Sequence, residues 1–438
     1  MTDQADRIRL TDADYARAEQ MLAPYRARLV PTAAVVPQWS ADGTRFRYRS
    51  GGRYVLVDPA AGTRRDAFDH ERLAAALSEA SGHAVAADDL PLTAVEFDLP
   101  GRDPDVVRFS ALDAGWEWSD RAGTCTPVEA AGPPVGPGEI LSPDRTLVAF
   151  RRDGDVWVRS RDGREEFALT DDAEPHHDYG GFPEAGTKLK LPLLGMGSLL
   201  VAEWSPDSTR LITHRIDQRG LPEQVLVEAA PEGGGRPVAH RIRYPMPGDD
   251  AQATVTWHVL DVRTRQNVAA SGGPEVLGQY NLARRWWTGE DGAAVHVLHQ
   301  SRDGRTLELR RLDPATGELT TLITETGRTR VDPSPYLHVP PLVRVLDSGE
   351  ILWWSQRDGW GHLYRYSADG ELLGRVTGGQ WLVRRVLWVD EDRGRVWFLA
   401  CGLNDDPYLR QICRVDLDGG GFVRITDDDL DHDAVAPP

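Results

Sequence analysis

The chain has 438 residues, 40 % of them hydrophobic and 27 % charged, and a net charge of −18 from 50 Lys+Arg against 68 Asp+Glu. An acidic surface of this kind repels phosphate backbones, which argues against nucleic acid as a partner. No apolar run approaches the roughly 20 residues that span a bilayer, so no membrane partner is expected either.

Cys125, Cys401 and Cys413 are too few and too scattered for a disulfide framework or a zinc site, and read as small buried hydrophobes. The polar start, with Asp3, Asp6, Arg7 and Arg9, lacks the apolar core of a signal peptide, and a cytoplasmic protein is expected. With 14 Trp against 4 Met, the composition leans towards packed sheets.

In chain order, residues 11–29 read as a helix. Thr11 is the candidate N-cap and Asp12 and Asp14 are acidic in the first turn. Tyr15, Ala18, Met21, Leu22 and Tyr25 recur at helical spacing, and Arg26 and Arg28 lie near the end. A shorter helix is expected over 69–80, around Leu73, Ala76 and Leu77. Nearly all the rest reads as short strands, among them 54–58, 147–151, 156–160, 211–215, 224–228, 254–260, 295–300, 307–312, 351–355, 363–366 and 395–400. Asp-Gly pairs at 42–43, 153–154, 162–163, 303–304, 358–359, 369–370 and 418–419 mark hairpins, because both residues tolerate positive φ.

These turns recur in a fixed order. An aromatic or Leu followed by Ser and an Asp-centred turn appears as Trp39-Ser40-Ala41-Asp42, Leu141-Ser142-Pro143-Asp144 and Trp204-Ser205-Pro206-Asp207. An aliphatic-Thr pair closes successive copies: Leu169-Thr170, Ile323-Thr324, Val376-Thr377 and Ile425-Thr426. Copies spaced like four-stranded blades predict an all-β fold, a β-propeller. Blades are expected near 33–68, 91–130, 138–172, 199–230, 238–270, 284–325, 339–377 and 382–426, eight in all, with seven as the alternative count. The predicted organisation is an N-terminal helix over 11–30, a propeller over 31–430 and an acidic, Pro-containing tail over 431–438.

The stretch Trp354-Ser355-Gln356-Arg357-Asp358-Gly359-Trp360-Gly361-His362-Leu363-Tyr364 resembles the W-S-E-R-x-G-W-x-H-L-Y signature of dipeptidyl peptidase IV-like propellers, with Gln356 where Glu is usual. Arg243-Tyr244-Pro245-Met246-Pro247-Gly248 and the strand 409–419 fit the same family, a branch of the prolyl oligopeptidase serine peptidases. The resemblance implies a propeller that caps an α/β-hydrolase domain, restricts access to peptides, and helps to hold the substrate's free amine. It also implies that the helix of 11–30 packs on the hydrolase domain.

The expected function is therefore the substrate-gating propeller of such a peptidase, with peptide substrates and a hydrolase domain as partners and homo-oligomerisation as a further expectation. The hydrolase domain itself is expected to be missing from this chain. No G-x-S-x-G elbow occurs, since Gly195-Met196-Gly197-Ser198 has the wrong spacing, so no catalytic residue is assigned and the chain alone is expected to be inactive. The alternative is a stand-alone propeller acting as a non-catalytic protein- or peptide-binding module.

The resemblance implies adjacent glutamates as amine anchor just before a W-S-P-D turn, yet residues 186–200 hold no acid. Glu184 is the best remaining carboxylate and the candidate amine-binding residue. Glu165-Glu166 reads as an ordinary hairpin. His176-His177-Asp178 and the Asp-rich run 427–433 lack the further ligands of a metal site, and neither metal nor cofactor is expected. Trp354, Trp360 and Tyr364 are expected to wedge between blades, His362 to bond within its blade, and Trp286-Trp287 and Trp353-Trp354 to form blade core.

Overall fold

Ser40, Ser142, Ser160, Ser205 and Ser301 each open the same turn in the computed structural model of the chain. The hydroxyl donates to the Asp two residues on at 2.5–2.6 Å. It also accepts the amide five residues on at 2.9–3.1 Å. The same Asp accepts the amide two residues beyond itself, so each turn satisfies its own polar groups before the next strand begins. The residue after the Asp takes positive φ in every copy: Gly43 at 64°, Arg145 at 64°, Gly163 at 73°, Ser208 at 61° and Gly304 at 71°.

The aliphatic-Thr pairs have an equally local cause. The hydroxyls of Thr170, Thr377 and Thr426 accept the amides of Val156, Leu363 and Ile412 at 3.0, 2.9 and 2.9 Å. Each fixes the start of a third strand on its fourth.

The structure describes residues 10–22, 25, 35–40, 42–97, 103, 105–128, 133, 135–185, 187–193, 199–278, 282, 284–334 and 342–436. They belong to two compact units, Met1–Ala130 with Val435–Pro438, and Ala131–Ala434.

The first unit carries two antiparallel four-stranded sheets. One runs Gln38–Trp39, Phe46–Ser50, Arg53–Asp58, Thr63–Asp66; the other Thr93–Glu96, Val106–Ala111, Ala114–Ser119, Thr124–Val128. Helix α1 spans Asp12–Glu19 and buries no residue; Tyr15, Met21 and Leu22 are exposed. It is shorter than the expected 11–29, and residues 23, 24 and 26–29 of that reading lie outside the described residues. Helix α2, His70–Ser81, sits one residue from its expected place. Asp69 caps it by accepting the amides of Glu71 and Arg72 at 3.1 and 3.0 Å, and Gly82 ends it at φ 72°. Its Leu73 and Leu77, both fully buried, pack with Phe109, Trp118 and Cys125. Burial of each leucine contributes roughly 1.5–3 kcal/mol.

The second unit carries five blade sheets and one two-stranded sheet. The third, fifth, sixth and seventh sheets each have four strands in sequential antiparallel order: Ile140–Leu141 to Glu166–Ala168, Arg285–Thr288 to Leu319–Thr326, Arg344–Val345 to Leu372–Arg375, and Leu382–Asp390 to Val423–Arg424. The fourth is built on Glu203–Trp204, Arg210–Asp217, Thr254–Asp261 and Asn267–Ala269, with His177–Tyr179 and Glu275–Val276 added at its edges. This is the blade architecture of a β-propeller, with seven blade sheets among the described residues.

The lower of the two expected counts holds because 199–230 and 238–270 form one blade. Glu223–Glu228 and Val238–Arg243 pair only with each other, as a two-stranded hairpin inserted between the second and third strands of the fourth sheet.

Within this unit, successive sheets are joined by core and by indole bonds. Trp204, Trp287 and Trp354 each donate Nε1 at 3.1 Å to a carbonyl of the adjacent sheet, those of Ile140, Glu203 and Val383. Trp354 and Tyr364 are buried, but Trp360 is 40 % exposed and does not wedge between sheets. Gly361 lies beneath the Trp354 ring, where a Cβ would meet Cζ2 at 2.3 Å. His362 meets Thr377 Oγ1 at 3.1 Å and the Gly379 carbonyl at 3.0 Å.

Candidate functional site

The strand His177–Tyr179 runs antiparallel to Arg215–Asp217 at the edge of the fourth sheet and delivers the loop that follows it to the end of that blade. Two glycines shape this loop. Gly180 takes φ +59°, and a Cβ there would meet Leu200 Cδ1 at 2.5 Å. A Cβ on Gly181 would lie 2.4 Å from Asp178 Oδ1, so only glycine admits the ion pair between Asp178 and Arg151, closed at 2.8 Å. His214, fully buried, donates Nε2 to the Gly181 carbonyl at 2.7 Å. Burial holds this imidazole neutral, at about 3.

Glu184 follows on this platform, its amide donating to Gln218 Oε1 at 2.9 Å. Its side chain is 14 % exposed and satisfied on both oxygens. Oε1 meets His176 Nδ1 at 2.8 Å; Oε2 accepts Lys188 Nζ at 3.0 Å and the Arg243 amide at 2.8 Å. Burial pushes the Glu184 carboxyl up, but the Arg243 amide, Lys188 and His176 together outweigh it and hold the group below the usual carboxylate range. Asp178 goes the other way: burial raises it, and Arg151 offsets that only in part.

Arg151, Asp178, Phe182, Glu184, Lys188 and Gln218 line a cleft of about 200 Å³. Two carboxylates can accept the N–H groups of a primary amine, and a guanidinium can donate to a neighbouring carbonyl. Sequence reasoning singled out Glu184 and quoted Asp178 but missed Arg151 and Gln218. Both belong to regular strands or their ends, and nothing local marks them as facing the loop.

The remaining candidates are held in structural contacts. Glu166 pairs with Arg152 through two bonds of 2.7 and 3.1 Å, in the hairpin expected for Glu165-Glu166. His176 is bound to Glu184, whereas the His177 ring lies 3.9 Å from Glu174, so the adjacent histidines do not share a ligand. Among the described residues no group of three or more His, Cys, Asp or Glu is arranged to hold a metal. The acidic run stays exposed and is pinned at three points: Arg410 binds Asp431 at 2.8 Å and Asp433 at 3.0 Å, and His432 binds Asp428 at 2.6 Å. Trp353, Trp354 and Trp287 are buried, and Trp286 is half-buried, stacked on His296. Ser198 lies outside the described residues. No described helix is long and apolar enough to cross a membrane.

Similarities to known proteins agree with this architecture. The family model for the dipeptidyl peptidase IV (DPP IV) N-terminal region matches residues 193–437. A probable dipeptidyl peptidase 4 of Aspergillus fumigatus is 24 % identical over 273 residues, covering 59 % of this chain and 33 % of that protein. The crystal structure of Porphyromonas gingivalis dipeptidyl peptidase 4 superposes with a TM-score of 0.62 at 20 % identity, over 90 % of this chain and 53 % of that one. The chain thus spans a third of the curated relative and about half of the solved structure. With the family model matched over more than half its length, the chain belongs to the dipeptidyl peptidase IV N-terminal region family.

Proposed function

We propose that this propeller gates and binds peptide substrates for a dipeptidyl peptidase IV-like serine peptidase, whose α/β-hydrolase domain supplies the nucleophile. The observation that carries the reading is Glu184: a largely buried carboxylate held ionised in a polar cleft, with an ammonium already seated on it. A peptide's free N-terminal amine has the same charge and donors as Lys188 Nζ and would take its place. In this reading Arg151, which already pairs with Asp178 and donates to the Tyr179 carbonyl, also receives the first peptide carbonyl, and Asp178 supplies a second acceptor.

The exposed apolar residues of α1, Tyr15 among them, support docking of this helix on a hydrolase domain or on a second copy of the chain. A cytoplasmic site of action belongs to the same proposal; all three cysteines are buried and unbridged, as suits a reducing compartment. The rival reading, a non-catalytic binding module, is favoured by one feature: both Glu184 oxygens are satisfied internally, which a purely structural role would also require.

The test is turnover of chromogenic Xaa-Pro and Xaa-Ala dipeptide substrates by the purified chain, alone and mixed with a homologous hydrolase domain. Activity or altered specificity only on mixing supports gating. Silence in both favours the binding module.

A further inference from the structure

A second cleft of this unit shares no residue with the Glu184 site. It has a volume of about 680 Å³ and lies between the fifth and sixth sheets. Cavities of this size accommodate small organic ligands. One wall is a cross-strand row on the fifth sheet, in which Trp286 pairs with His296 and His296 with Arg311. The other is the first strand of the sixth sheet and its turn, Val343 to Asp347.

The charge of this cleft is opposite to that of the molecule. Arg284, Arg285, Arg311 and Arg344 line it against the single carboxylate of Asp347, in a chain of net charge −18. His296 adds no charge near neutrality, because burial lowers it to about 4. Arg311 is half-buried, and its side chain makes no hydrogen bond or ion pair among the described residues. The Arg285 guanidinium donates to the Leu282 carbonyl and feels the buried Glu203 carboxylate, but its Nε has no hydrogen-bond partner among the described residues. Partly desolvated guanidinium donors left without acceptors are costly, and an oxyanion relieves that cost by two parallel bonds per fork. Trp286, Val343, Val345 and Leu346 add apolar surface beside the charges.

We propose that this cleft binds an organic carboxylate with an apolar or aromatic body, of the kind a short peptide presents at its C-terminus. The carboxylate sits on Arg311 and Arg285, and the apolar body lies along Trp286 and Val345. Arginine forks fit phosphate as well, but a bare phosphate leaves the apolar wall uncovered, which selects the carboxylate.

The test is calorimetric titration of the full chain with N-acetylphenylalanine, its amide, and inorganic phosphate. The acid should bind, its amide should show no saturable heat, and Arg311→Gln should weaken the acid by about tenfold. Asp347→Asn removes the one carboxylate that lines the cleft and should tighten it a few-fold, a gain that a misfolded variant cannot mimic. Equal binding of acid and amide, indifference to Arg311→Gln, no binding of the acid at millimolar concentration, or binding of phosphate alone would overturn the assignment. None of these outcomes depends on Glu184, so the two proposals fail independently.

Discussion

Lys188 Nζ lies 3.0 Å from Glu184 Oε2, one helical turn earlier in the chain, and also donates to the Arg241 carbonyl at 3.1 Å. The lysine is partly exposed at 42 %, so it is the replaceable member of the pair, whereas Glu184 is fixed by His176 and the Arg243 amide.

Removing the internal ammonium should open the anchor. Lys188→Ala is expected to raise affinity for a dipeptide with a free amine by up to about fivefold, the scale of a partly exposed ion pair. Glu184→Gln should abolish that gain, and an N-acetylated dipeptide should not respond to either change. Isothermal titration of the three proteins measures this directly.

The shared turn carries a cost at two of its copies. Arg145 and Ser208 occupy the left-handed position that glycine fills at 43, 163 and 304. Arg145→Gly should stabilise the chain by about 1 kcal/mol, because it relieves the Cβ clash of a side chain at positive φ. Chemical denaturation of the variant beside the parent provides the comparison.

That turn also shows what was legible in the sequence. Ser40, Ser142 and Ser205 stood out because an aromatic or Leu precedes them. The chemically identical Ser160 and Ser301 were visible only through their Asp-Gly pairs. The sequence leaves both eight and seven blades open because the strands of the inserted hairpin, Glu223–Glu228 and Val238–Arg243, are as long as blade strands, and only pairing distinguishes them. Trp360 reads as core from its neighbours, yet it is exposed where Trp354 and Tyr364 are buried, a difference that residue type and spacing alone do not carry. Glu184 could be found as the acid on the insertion that leads, through the acid-free stretch 186–200, to a W-S-P-D turn. Arg151, and the arginines gathered from 284 to 344, could not, since register and sheet order bring them together.

The closing threonines should prove individually important. Thr377→Val leaves the buried Leu363 amide without its acceptor and should cost about 1–3 kcal/mol, and Thr170→Val should do the same through Val156. Thermal or denaturant unfolding of either variant, with an exposed Thr→Val change as control, reads the effect.

Acid should destabilise the fold before most carboxylates titrate. Burial lowers His214 to about 3 and His296 to about 4, from an ordinary 6.5. Below about pH 6.5 the unfolded chain takes up protons that the folded chain refuses, so stability falls as pH drops towards the folded values. Each histidine should contribute a slope of about 1.4 kcal/mol per pH unit within that window. Unfolding free energies measured from pH 7 to 4.5 should show this slope, and His214→Gln should reduce it by about one proton.

The most direct test of the central claim is the mixing assay with an Xaa-Pro chromogenic dipeptide and a separately produced dipeptidyl peptidase IV-like hydrolase domain. The account predicts no turnover by the chain alone, and turnover or changed substrate preference on mixing that Glu184→Gln diminishes. Turnover by the chain alone, or a hydrolase domain whose rate and preference are untouched by the chain, would contradict it.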